Sequence, residues 1–158
     1  KRMKRRHLRQ DVVDFCKKVR DLRPDVTFGA DIIAGFPTET DEMAENTLRL
    51  VDECGLIYLH VFPYSSRPGT PAAKMPQVPK DLRKERASAL REAGEVQLNK
   101  FLQSRIGMIE NVLVEKENTG HTEHFAPVLL DRVIEAGTIA KAKVTGLENG
   151  KLIAELAE

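Results

Sequence analysis

The sequence predicts an α/β unit followed by a small all-β barrel. Three observations carry this. Two short apolar stretches each run into a loop rich in Gly, Pro, Ser and Thr (residues 29–42 and 56–75), with a helical stretch between them. That is the pattern of a parallel βαβ unit whose loops lie at the carboxyl ends of the strands, where such folds bind ligands. A long helical stretch follows over residues 79–104, and from Ile106 the apolar period changes from 3.6 to 2. Residues 1–104 and 105–158 are therefore expected to form separate domains.

The elements follow in order. Over residues 8–22, Val12, Phe15, Cys16, Val19 and Leu22 form one helical stripe, and Arg23-Pro24 ends it. Residues 26–34 read as a strand. Its end, Ile32-Ile33-Ala34, is continuously apolar, as in a parallel strand covered on both faces, and Asp31 interrupts it. A carboxylate there needs a partner or a polar site. Gly35-Phe36-Pro37 breaks the strand, and Thr38 or Thr40 starts a helix with Met43, Ala44, Thr47, Leu48, Val51 and Cys54 on its buried side and Gly55 as its C′ residue. Residues 57–62 are the next strand. The loop over residues 63–76 holds four of the eight prolines, so it is long but stiff. In the long helix, Leu82, Ala89, Leu90, Ala93, Val96, Phe101 and Leu102 form an apolar side, and Gly94 weakens it by about 1 kcal/mol relative to Ala.

In the second unit, residues 109–115 read as a strand, residues 117–120 as a turn, residues 121–130 as a stretch bent at Pro127, and residues 138–145 as a strand alternating Thr138, Ala140, Ala142 and Val144 against Ile139, Lys141, Lys143 and Thr145. Asn149-Gly150 suits a type I′ hairpin turn before the return strand over residues 152–156. Four or five short antiparallel strands suggest a small barrel.

Composition excludes several classes. At 41% apolar and 31% charged residues, the chain can bury a core and is not disordered throughout. No run of 18 apolar residues suits a membrane helix, and the charged opening lacks the apolar region of a secretory signal. Cys16 and Cys54 show no metal-ligand spacing and read as reduced core thiols, so no metal site and a cytoplasmic location are expected. Net charge is +1, yet residues 1–104 carry 19 cations against 15 anions and residues 105–158 carry 6 against 9. The opening KRMKRR is a solvated segment or an anion-binding element.

No residue presents itself as catalytic. Gly35 in AGFPTE serves a turn or the close approach of a ligand, and no Walker-type loop is present. Asp31 and Glu39 offer a carboxylate pair, although capping and ion pairing explain them as well. Tyr64, Ser65, Ser66 and Arg67 put hydroxyls and a guanidinium on one stiff loop, as surface decoration or as a polar ligand site. His121 and His124 fall on opposite faces of a strand, which argues against a shared metal. One of them beside Lys141 and Lys143 has the chemistry to contact RNA.

The segments KRMKRR, DIIAGFPTET and LHVFPYSSRPGTPAAKM followed by QVP closely resemble the later part of the catalytic domain of radical S-adenosylmethionine methylthiotransferases, and GHTEHFAPVLL resembles the middle of the small RNA-binding TRAM domain that follows it. The resemblance covers nearly the whole chain and implies a fold of the last βα units of an open, TIM-like radical barrel plus an OB-like TRAM barrel. It also implies the chemistry: an iron–sulfur cluster cleaves S-adenosylmethionine to a deoxyadenosyl radical, which abstracts hydrogen from an unreactive C–H where a methylated sulfur is then inserted. LHVFPYS, PGTPAAKM and GHTE look most like the branch acting on threonylcarbamoyladenosine beside the tRNA anticodon. The branches acting on isopentenyladenosine or on a ribosomal-protein aspartate are the alternatives.

The family holds two [4Fe-4S] clusters through a CxxxCxxC motif and three further cysteines, none of which matches Cys16 or Cys54. The resemblance thus implies a carboxyl-terminal fragment, inactive alone, partnered by amino-terminal domains of the same polypeptide and able to dimerise across an open edge. Ile33, Ala34 and Gly35 match the strand end that contacts the adenine of S-adenosylmethionine, and Phe62, Pro63 and Tyr64 match the last strand end flanking it. Lys4, Arg5 and Arg6 within the Lys1–Arg6 cluster, with Arg67, His121, His124, Lys141 and Lys143, are the expected tRNA contacts. A stand-alone RNA-binding module is the rival from another class.

Overall fold

A computed structural model describes residues 2–157; Lys1, the first cation of KRMKRR, lies outside the described residues. The chain divides into two compact units, residues 1–98 and 99–158, so the division falls inside the long helix and not at its end.

The first unit contains α1 (Arg9–Leu22), β1 (Phe28–Ala34), α2 (Asp41–Cys54), β2 (Leu56–Pro63), a 3-10 turn (Pro71–Lys74) and residues 80–98 of α3 (Lys80–Ser104). β1 and β2 pair in parallel, as the βα pattern requires, with Asp31 opposite His60 and Ile33 opposite Phe62. Thr40, not Thr38, caps α2: its hydroxyl accepts the Met43 N–H. Gly55 closes that helix in the left-handed conformation, at φ 57°. Val13, Cys16, Val51, Cys54, Ala87 and Leu90 pack from the three helices against Ala34, Leu56 and Val61 of the sheet.

Two expectations need correction. β1 is not covered on both faces: Phe28, Ala30, Ile32 and Ala34 face the core, while Gly29, Asp31 and Ile33 are exposed. The helices cover one side of the two-stranded sheet, and period 2 sends every other residue to the open side. The α1 stripe turns on Val13 and Cys16, with Phe15 and Leu22 exposed, and Met43 and Val96 are likewise exposed. Gly94 is a packing device as well as a weak point, since a Cβ there would stand 3.0 Å from Leu59 Cδ1.

The second unit holds residues 99–104 of α3 and five strands: β3 (Ile109–Lys116), β4 (Thr119–Thr122), β5 (Pro127–Leu130), β6 (Ile139–Glu148) and β7 (Lys151–Leu156). They close a barrel in the order β3-β4-β5-β7-β6. The stretch 121–130 is two strands, divided where Thr122 nucleates a turn. The barrel is not purely antiparallel, because β5 and β7 run parallel. The chain leaves β5 for β6 by a connection over residues 131–138, and β7 then returns to fill the gap beside β5. Val112, Val114, Val128, Val144 and Leu152 fill the interior. Gly120 is required there, because a Cβ would come within 2.1 Å of the Leu113 carbonyl oxygen. Asn149 and Gly150 both have positive φ, as a type I′ turn demands.

Candidate functional site

The carboxyl ends of β1 and β2 stay in register past the strands themselves, because the Tyr64 N–H donates to the Ala34 carbonyl at 2.8 Å. Beside them lies a cavity of about 470 Å³ lined by Ile33, Phe62, Pro63, Tyr64, Ser65 and Arg67, with Thr70 and Ala72 closing the loop side. Its size lies within the range of small-molecule sites. Ile33 and Phe62, paired across the open face of the sheet, give an apolar floor. Tyr64 is steadied by an edge-on contact with Phe36, at 5.3 Å between ring centres. The loop is stiffened by Thr70, whose hydroxyl donates to the Arg67 carbonyl and accepts the Ala73 N–H.

The cavity gathers four of the six residues expected at an adenine, together with Arg67. Ala34 and Gly35 are placed differently. Ala34 is buried on the core side. Gly35, at φ +71°, backs onto Arg83, whose Cγ would lie 2.3 Å from an added Cβ. Nor are the strand-end amides free to read a ligand edge: the Gly35 N–H is held by Glu39 Oε1 at 3.0 Å, and the Tyr64 N–H by Ala34.

The residues fixing this geometry come from α3, and sequence reading missed them. Arg83 donates to the Tyr64 carbonyl at 2.6 Å, and Arg91 to the Val61 carbonyl at 2.9 Å. Arg86, with a side chain only 9% exposed, bridges Glu39 at 2.9 Å and Asp41 at 2.6 Å and also binds the Glu39 carbonyl. The carboxylate pair weighed for Asp31 and Glu39 therefore resolves into an ion pair for Glu39 and an exposed Asp31 opposite His60. The arginines recur at 83, 86 and 91 on one helical face. That spacing was the available signal, hidden because a charged helix face ordinarily means a solvated one.

A second groove of about 580 Å³ in the same unit is lined on one side by Arg2, Arg5, His7 and Arg9 and on the other by Ile33, Phe36 and the following loop. Arg2 donates to the Thr38 hydroxyl. Arg5 lines this groove, whereas Lys4 and Arg6 are exposed outside its lining.

In the barrel unit, Lys141 and Lys143 are exposed on β6, opposite Asn111 and Ile109 of β3. His121 lies on the same outer face, with Nδ1 3.1 Å from Glu115. His124 does not join them. Its side chain is 10% exposed, with Nδ1 3.8 Å from the buried Glu110, itself paired with Arg105, and its ring meets Phe101 edge-on. The expectation of an RNA contact at His124 is corrected by that burial.

Among the described residues no three His, Cys, Asp or Glu side chains gather as a metal-binding group. Cys16 and Cys54 lie in the core, where burial and the neighbouring Cys16 thiol push Cys54 up to about 11.

No family model matches the chain. Over 95% of its length it is 59% identical to the threonylcarbamoyladenosine tRNA methylthiotransferase MtaB of Rickettsia prowazekii. Over 99% of its length it is 34% and 33% identical to tRNA-2-methylthio-N(6)-dimethylallyladenosine synthases of Bartonella bacilliformis and Agrobacterium fabrum. The chain spans 36% of the length of each of these relatives.

Proposed function

This chain is a member of the methylthiotransferase family over the third of those enzymes' length that it spans, and we propose that it is the nucleoside-binding wall and RNA-binding barrel of an enzyme that places a methylthio group on threonylcarbamoyladenosine in tRNA. The observation that carries this reading is the higher identity to the threonylcarbamoyladenosine enzyme, 59% against 34% for the dimethylallyladenosine synthase of Bartonella bacilliformis, joined to a cavity at the strand ends.

The residues fit the adenosine end of S-adenosylmethionine. Adenine is flat and largely apolar on its faces, and Ile33, Phe62 and Pro63 offer a flat apolar wall with Tyr64 at its rim. The edge of the base is left to Ser65, since the nearby amides and the Thr70 hydroxyl are already engaged. When bound, S-adenosylmethionine supplies the group to be transferred and the radical chemistry; this chain binds it, orients it and excludes water. Arg83 and Arg91 act on the backbone at the end of β2, and Arg86 on the loop after β1, as positioning residues. The residues here do not fit an iron–sulfur cluster: the two cysteines are core thiols in α1 and α2. Both clusters are therefore assigned to the remainder of the polypeptide.

For tRNA, Arg67 stands on the cavity rim where a substrate phosphate would approach, and Arg2 and Arg5 offer further cations in the second groove, which Asp31 and Glu39 also line. The strand order of the barrel, with its single parallel pair, supports the OB-like TRAM reading, in which His121, Lys141 and Lys143 face RNA. Calorimetry on the full-length protein tests these roles. Phe62→Asp is expected to abolish S-adenosylmethionine binding, and Arg67→Ala to weaken tRNA binding while leaving S-adenosylmethionine binding intact. S-adenosylmethionine binding unaffected by Phe62→Asp, or tRNA affinity unchanged in Arg67→Ala, overturns the corresponding assignment.

A further inference from the structure

Resting on the RNA reading of the barrel, we propose that its outer face carries a pocket for one unstacked nucleobase, with Phe125 as the stacking platform and a preference for bases bearing an exocyclic amino group. The barrel's own packing does not account for Phe125. It is 77% exposed, although large aromatic rings ordinarily bury themselves. It also sits at φ +60°, a conformation that is an outlier for a bulky residue and that marks functional sites when the surroundings enforce it. Thr122 enforces it. The Thr122 carbonyl accepts the Phe125 N–H at 2.9 Å, and its buried hydroxyl accepts the N–H groups of His124 and Ala126, each at 3.2 Å. Ala126 takes the core position, and Phe125 is turned outward.

The ring stands over a cavity of about 430 Å³ with Leu113 and Ile139, both exposed, as its apolar floor. The His121 ring lies 6.4 Å away at 46°, so the two rings form the arms of an open V. A planar base edged into such a cleft gains stacking that is independent of its identity. Identity is read at the rim. Glu115 and Glu123 both line the cavity, each with one oxygen engaged, Glu115 by His121 Nδ1 and Glu123 by Asn111 Nδ2. Carboxylates accept from amino groups, which cytosine, adenine and guanine present and uracil lacks. Lys141, opposite Asn111, and Lys143, opposite Ile109, supply the charge that a phosphate backbone requires beside this acidic rim.

Fluorescence anisotropy of the full-length protein with short single-stranded cytidine-rich, adenosine-rich and uridine-rich oligoribonucleotides, and with tRNA, tests this. The parent is expected to bind the cytidine-rich and adenosine-rich strands more tightly than the uridine-rich one. Phe125→Ala is expected to weaken those two about tenfold, Phe125→Trp to retain them, and Glu123→Gln to narrow the gap to uridine. Parent-like affinity in Phe125→Ala overturns the pocket while leaving the RNA reading of the barrel in place, provided tRNA is still bound. Failure of the parent to bind any of these RNAs overturns both. Phe125→Leu binding as well as Phe125→Trp would mark plain apolar docking, as for a protein partner, and also overturns the stacking role. Equal affinity for the uridine-rich strand overturns the amino preference.

Discussion

The two sheets of this chain handle their edges and faces in opposite ways. The barrel closes on itself, so its five strands pair on both sides and its inward residues make a complete core. The β1–β2 sheet pairs on one side only and leaves Asp31, Ile33, His60 and Phe62 on an open face. Open edges and apolar faces are costly to leave in water. Under the proposed function, the open face is the half of a ligand-binding interior that this chain contributes, while the barrel is a finished module. The barrel's core is therefore complete within the chain, whereas the sheet's core is completed by helices on one side only.

That contrast breaks or sharpens under substitution. The largest effect is expected at Gly120, where any Cβ meets the Leu113 carbonyl: Gly120→Ala is expected to cost about 3 kcal/mol, read as the loss of the barrel's cooperative transition in urea. A matched pair comes next. Leu152→Ala empties a fully buried barrel position and is expected to cost about 3 kcal/mol. Phe62→Ala, on the open face, is expected to cost about 0.5 kcal/mol in this chain and distinctly more in the full-length protein. Equal costs for Phe62→Ala in both settings would mean that nothing covers the face. Arg86→Ala leaves Glu39 without its buried partner and is expected to cost about 2 kcal/mol, with a matching loss of S-adenosylmethionine affinity in the full-length protein.

The smallest effect is with pH. Burial, followed by the Cys16 thiol, raises Cys54 to about 11. A thiol raised on folding is held neutral, so its contribution is complete below about pH 9 and is lost as pH rises toward about 11. Burial moves Tyr58 in the same direction. The first unit is expected to lose urea resistance over that range, and Cys54→Ala is expected to flatten the thiol part of the slope.

Much of this architecture was legible in the residues. A helix start at Thr38 or Thr40, the Gly55 stop, the Asn149-Gly150 turn and the βα alternation are local signals, and local signals survive in sequence. The strand-end cavity was legible because the proline-rich loop after Pro63 must leave the sheet at a fixed place. What was hidden is tertiary. An apolar run such as Ile32-Ile33-Ala34 reads the same whether its second face is covered or open. Arg83, Arg86 and Arg91 look solvated until the backbone carbonyls they bind are in view. His124 and Phe125 are neighbours in sequence, and only the Thr122 turn decides that the histidine goes in and the phenylalanine goes out.

The central claim is that the polypeptide containing this chain methylthiolates threonylcarbamoyladenosine in tRNA. Mass spectrometry of nucleosides from the tRNA of cells lacking its gene tests it most directly. The expected result is that 2-methylthio-threonylcarbamoyladenosine disappears while threonylcarbamoyladenosine accumulates, and that the methylthiolated dimethylallyladenosine is unchanged. An undiminished level of 2-methylthio-threonylcarbamoyladenosine would contradict it.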